Sequence, residues 1–220
     1  MLYLSKVMAN QKILSPAMLK TFEQCRKKYF LQYVRNIRMP QTSTPFEKGK
    51  NIHAIAGYFL SGVDITKFEK SLTNEENFLW NKLKNNEYFK NSPFKAEFSL
   101  NFRIENFWFG GRLDAIVKSN KDYFILDYKT GSAPKDAKYN YQTMIYLIAA
   151  SRYIKDFETL SFVYIDLKND QNVVIKSSPE LLTEYENKLL KSAKKLTGLT
   201  ENNLPTKNEN CNCEYEKICF

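Results

Sequence analysis

The chain has 220 residues, 43% of them hydrophobic and 15% aromatic, which is enough to bury one sizeable core and excludes a disordered or fibrous chain. No apolar run approaches the roughly 20 residues that span a bilayer, so a membrane-spanning chain is set aside. The net charge of +9 favours polyanionic partners. Basic residues cluster as Arg26-Lys27-Lys28, Arg35 with Arg38, Lys135 with Lys138, and Lys188, Lys191, Lys194 and Lys195.

Taken in chain order, residues 1–15 are mixed and lack an apolar leader core, so the expectation is a cytoplasmic protein with reduced thiols. Ser15 as N-cap and Pro16 at the first helical position predict a helix over 16–34. Further helices are expected at 46–60 and 75–88. Three strands follow at 94–102, 107–117 and 123–128, with Ser119-Asn120-Lys121-Asp122 as the turn between the last two. A helix over 137–153 leads to strands at 160–167 and 172–176. Pro179 opens a last helix to 196, and Pro205 introduces a cysteine-bearing tail. The expected organisation is one domain over 1–220: a helical part at 15–90, an α/β core at 94–176, and a C-terminal helix and tail at 178–220.

The second and third strands carry the chemistry. Gly111-Arg112-Leu113-Asp114 lies in one, and Asp127-Tyr128-Lys129-Thr130-Gly131 closes the other. Antiparallel pairing across the turn brings Asp114 and Asp127 together, and strand alternation puts Asp127 and Lys129 on one face. Two carboxylates beside an amine suit a hard divalent cation and a water nucleophile.

This constellation resembles the PD-(D/E)XK nuclease superfamily, specifically its RecB-like branch, with Asp127-Tyr128-Lys129 as the second half of the signature. The resemblance implies an α/β fold whose mixed central sheet is flanked by helices. It implies Asp114, Asp127 and Lys129 as catalytic residues. Asp114, Asp127, the Tyr128 carbonyl and His53, the only histidine, would hold Mn²⁺ or Mg²⁺. Gln142 and Tyr146, four apart on the helix after the catalytic strand, match the family's Q-x-x-x-Y element and would position DNA. Glu97 is either an additional acid of the site or an outward charge on an edge strand.

Four cysteines stand at Cys25, Cys211, Cys213 and Cys219. One remote cysteine and a C-terminal trio are similar to the iron–sulfur staple of several RecB-like nucleases, in which four thiolates hold a 4Fe–4S cluster and tie the chain ends together. The spacing departs from that pattern, because Cys211-Asn212-Cys213 is C-x-C where the family usually has C-x2-C. Structural zinc and unliganded or disulfide-bonded cysteines remain open alternatives.

The implied activity is metal-dependent hydrolysis of DNA phosphodiester bonds by an exonuclease acting on single strands or ends. CRISPR adaptation or recombination and repair, possibly phage-encoded, are the pathways it fits, with a helicase or CRISPR integrase as partner. A non-catalytic nucleic-acid-binding iron–sulfur subunit is the alternative from another class, and an RNA-directed nuclease is a third reading.

Overall fold

The computed structural model describes residues 12–39, 45–204, 207 and 211–219; the Pro205 break and the first eleven residues lie outside these. Helices α1 (Pro16–Gln24), α2 (Arg26–Tyr29), α3 (Pro45–Leu60), α4 (Thr66–Ser71) and α5 (Asn74–Asn85) precede a sheet. The sheet comprises β1 (Ser92–Ile104), β2 (Phe107–Ser119), β3 (Asp122–Lys129), β4 (Thr159–Asp166) and β5 (Gln171–Lys176). Helix α6 (Tyr141–Tyr153) joins β3 to β4, and α7 (Pro179–Thr197) follows β5.

The five strands lie in chain order. β1, β2 and β3 form an antiparallel meander, β4 runs parallel to β3, and β5 turns back antiparallel on β4. A parallel neighbour requires a crossover, and α6 supplies it. Hence α6 must cover one face of the sheet at the level of the β3 C-terminus. The two sheet faces bury separate cores. Leu19, Phe109, Ile125, Leu147, Phe162 and Tyr185 belong to the side covered by α1, α6 and α7. Ile52, Ile55, Trp80, Leu126, Tyr128 and Val163 belong to the side covered by α3 and α5. Among the described residues no helix is long and apolar enough to cross a membrane.

Three element boundaries differ from expectation, each for a local reason. The helix expected over 16–34 breaks at Cys25, which adopts φ −158° and ψ 107°; its Sγ accepts the Lys28 N–H at 3.3 Å and so caps a new helix. A π-helical turn, Phe30–Val34, completes the segment. The helix expected from 137 begins at Tyr141 because the Asn140 side chain accepts the Gln142 N–H at 3.0 Å. The third helix stops at Asn85, where Asn86 Oδ1 accepts the N–H groups of Tyr88 and Phe89 and turns the chain instead. Helix α4 was not expected; its Glu69 accepts from Trp80 Nε1 at 2.7 Å and Lys84 Nζ at 2.8 Å, which ties it to α5.

Candidate functional site

Three acids converge at one level of the sheet. Glu97 on β1 and Asp114 on β2 fall between the pairs Ala96–Ala115 and Phe98–Leu113, and Asp127 on β3 follows the pair Ala115–Leu126. Regular strand geometry fails here. Leu113 packs into the α6-side core and Ala115 into the α3-side core, although residues two apart in a regular strand share a face. Across from this switch Glu97 takes a left-handed φ of 49°, a strained conformation for a residue with a side chain. Asp114 Oδ2 accepts the Tyr128 N–H at 2.9 Å, so a carboxylate binds the β3 backbone just past the last β2–β3 pair.

His53 enters from α3. Its Nδ1 lies 3.0 Å from Asp114 Oδ1, and one donor atom each from His53, Glu97 and Asp114 fall within 4.8 Å of one another. Among the described residues this is the only group of three or more such donors with that spacing. Asp127 is not part of that tightest group but flanks it, 5% exposed. Its Oδ2 meets Lys129 Nζ at 2.7 Å in a poorly aligned ion pair, which leaves this buried oxygen without a well-directed hydrogen-bond donor. Gln142 joins both, its Nε2 donating to Asp127 Oδ1 at 2.9 Å and its Oε1 accepting from Lys129 Nζ at 3.2 Å. Tyr146 donates its hydroxyl to the Arg112 carbonyl at 2.9 Å. Gln142 and Tyr146 thus both face the site from α6, one gripping acid and amine, the other the β2 backbone.

Burial and crowding shape the electrostatics. Desolvation, then the neighbouring charge of Asp114, pushes Asp127 up to about 6, against the opposing pull of Lys129 and His53. Glu97 is raised by burial and by Asp114, with Arg112 and His53 opposing. Burial draws the His53 imidazole down, but its hydrogen bond to Asp114 and the charges of Asp114, Asp127 and Glu97 outweigh this and hold its pKa above the ordinary value. With burial and Asp114 holding Glu97 and Asp127 above their ordinary values, and neighbouring carboxylates holding His53 up against its burial, the cluster is short of positive charge. Carboxylate oxygens, an imidazole nitrogen and a buried oxygen lacking a directed donor fit a divalent cation.

Two clefts open on the site. One, of about 580 Å³, reaches His53 and Glu97 beneath α3; the other, of about 520 Å³, runs past Lys129, Gln142 and Tyr146 to the start of α1. Arg112 lines both. Its Nε sits 2.7 Å from Glu97 Oε2 while the side chain is 63% exposed. Sequence reasoning assigned Arg112 no role, although a basic residue two before Asp114 was a signal.

The cysteines lie elsewhere. Cys25 marks the α1–α2 break, and the tail folds back on this segment through Lys28 Nζ–Glu214 Oε2 at 3.1 Å and the Tyr215 hydroxyl on the Ile37 carbonyl at 2.8 Å. Cys211 and Cys213 place their sulfurs 3.6 Å apart, and none of the four is disulfide-bonded.

The family model of the PD-(D/E)XK nuclease superfamily matches residues 13–220. The chain belongs to that superfamily. No curated protein matches it. Among solved structures, a candidate exonuclease of Eubacterium rectale superposes with a TM-score of 0.58 at 14% identity, covering 93% of this chain and 88% of that one. At that identity the likeness shows the fold alone. The structure of SSO0001 has a TM-score of 0.47 and 18% identity, covering 98% of this chain and 91% of that one, and carries no argument. Membership in the superfamily gives the protein nuclease chemistry and a nucleic-acid substrate as its class of activity, and the mixed sheet flanked by helices is the superfamily core.

Proposed function

We propose that the chain is a RecB-like, metal-dependent DNA exonuclease that acts on single strands or DNA ends, in CRISPR adaptation or in recombination and repair. The observation that carries this reading is the meeting of Asp127, Lys129 and Gln142 beside the His53–Glu97–Asp114 group. A binding-only subunit would have no need of a buried acid paired to an amine beside a His–Glu–Asp donor group, so the enzyme is favoured over the scaffold.

His53, Glu97, Asp114 and Asp127, with the Tyr128 carbonyl, would hold Mn²⁺ or Mg²⁺. When bound, such an ion supplies positive charge for the phosphate and makes a neighbouring water more acidic. Lys129 holds the attacking water, and its pairing to Asp127 keeps the amine aimed into the site. Gln142 fixes both side chains through its two amide ends. In the reaction the water oxygen bonds to phosphorus, the bond to the leaving sugar oxygen breaks, and a water proton is lost to solvent as the leaving oxygen gains one. Arg112, between the clefts, is placed to neutralise a strand phosphate once Glu97 turns toward the ion.

The four thiolates are proposed to hold a structural 4Fe–4S cluster that ties Cys25 to the tail. One observation favours zinc instead: the 3.6 Å Cys211–Cys213 spacing is close to the edge of about 3.8 Å expected for two thiolates on one tetrahedral zinc. Iron, sulfide and zinc analysis of anaerobically purified protein separates the two. The nuclease reading is tested by incubating the protein with end-labelled single- and double-stranded DNA and RNA in Mn²⁺, Mg²⁺ or EDTA; stepwise shortening of DNA in Mn²⁺ that EDTA stops is the expected result.

A further inference from the structure

The cleft beneath α3 holds a feature that hydrolysis does not use. α3 repeats Gly49, His53 and Gly57 at intervals of four, so one helix face carries the metal-group histidine between two glycines. The next row carries Tyr58, an aromatic residue 51% exposed although it lines the same cleft. Its ring meets Phe68 of α4 at 6.2 Å between centroids and a 60° tilt, an oblique contact that supports one side of the ring. At five residues from His53, Tyr58 lies about 7.5 Å further along the helix axis. The cleft volume of about 580 Å³ falls within the range of about 300–1,000 Å³ typical of small-molecule sites. Arg112 also lines this cleft.

We propose that Tyr58 is a specificity-determining residue: its ring stacks the base of an unpaired nucleotide next to the scissile phosphate. The proposal rests on the nuclease reading of the adjoining His53–Glu97–Asp114 group. The cleft is large enough for a planar base, and Arg112 in the same lining suits the attached phosphate. An aromatic face accepts any base, so the contact selects for strandedness and not for sequence. A base inside a duplex already has both faces stacked and its edge paired, so it cannot enter. The protein therefore engages unpaired strands and frayed ends in preference to blunt duplex.

The test uses the full chain as wild type, Tyr58→Phe, Tyr58→Leu and Tyr58→Ala, with single-stranded oligonucleotides carrying 2-aminopurine at either terminus and with Ca²⁺ in place of Mg²⁺. Binding and fluorescence quenching are read together with the melting temperature. Tyr58→Phe should bind within about twofold of wild type, whereas Tyr58→Ala and Tyr58→Leu should bind roughly 5- to 100-fold more weakly, with quenching lost and the fold intact. Blunt-duplex binding should be the same in all four. Under Mn²⁺ the loss should fall on KM for single strands and spare kcat. Wild-type binding and quenching in a folded Tyr58→Ala protein would overturn the proposal, as would failure of the wild type to bind single strands. The two readings separate cleanly. Tyr58-dependent quenching by a wild type that cuts nothing in Mn²⁺ sustains the stacking and removes the nuclease, while cleavage indifferent to Tyr58→Ala removes the stacking alone.

Discussion

Asp127 accepts from Gln142 at one oxygen and faces the Lys129 amine, without a directed hydrogen bond, at the other; burial and Asp114 raise it. The sign of the linkage is definite. A carboxyl pushed up to about 6 in the folded state, above the ordinary aspartate value of about 3.9, favours the folded state most while protonated. Its contribution declines as pH rises from about 4 to 6 and is level above, at a cost of up to about 3 kcal/mol. With EDTA present, Asp127→Asn should therefore be more stable than wild type at pH 8, and the gap should close near pH 4; urea titrations check this, and a less stable variant at pH 8 would contradict it. Catalysis gives the opposite ranking. Lys129→Ala and Asp114→Ala should each lower Mn²⁺-dependent cleavage by more than about 100-fold, the scale of losing a group that acts in the transition state. DNA retention by filter binding should change little. His53→Ala should impair cleavage as strongly, and wild-type-like rates in that variant would return the histidine to a supporting role.

At the scale of elements, the helices and strands that place the site were legible because their signals are local. Thr73 and Glu76 form a reciprocal cap, Ser178 with Pro179 opens α7, and Tyr185, Leu189, Ala193 and Leu196 repeat along its buried face. The hairpin at Ser119-Asn120-Lys121-Asp122 was legible too, with Asn120 at a φ of 55°. What sequence periodicity did not carry is the face switch at Asp114. Alternation assumes a regular pleat, and here Leu113 and Ala115 enter different cores while Glu97 twists into the left-handed region. Glu97, which the sequence leaves as either an additional site acid or an outward edge-strand charge, joins the His53–Asp114 group at this distortion. Gly57 makes room for it, since a Cβ there would stand 2.8 Å from Glu97 Cγ. Gly57→Ala should consequently displace Glu97 and weaken Mn²⁺ binding several-fold in calorimetry, with a modest loss of melting temperature. Unchanged Mn²⁺ affinity would remove Glu97 from the ligand set. Gly111 has the same meaning on the other side, where a Cβ would meet the Tyr146 hydroxyl at 2.7 Å.

For the molecule as a whole, the described part of the C-terminal tail lies against the segment that follows Cys25. Lys28–Glu214 and the Tyr215–Ile37 hydrogen bond dock the tail on the α2 segment, with Tyr215 2% exposed. A metal centre spanning Cys25 and the tail would bind the folded state and add to stability there. Removing one thiolate, as in Cys219→Ala, should lower the melting temperature and the bound iron or zinc together, while residual protein keeps Mn²⁺-dependent cleavage above the level of Lys129→Ala. A variant with full metal content and unchanged melting would contradict the staple. The net charge of +9 should show itself as DNA affinity that falls steeply with salt.

Asp127 beside Lys129 is the pair on which metal-dependent cleavage depends most directly. Wild type and Asp127→Ala, both verified as folded by circular dichroism, should be incubated with end-labelled single-stranded DNA in Mn²⁺ and in EDTA. The wild type should shorten the DNA progressively in Mn²⁺ alone, and Asp127→Ala should not shorten it under either condition. Cleavage by Asp127→Ala at near wild-type rate, or wild-type cleavage that persists in EDTA, would contradict that dependence.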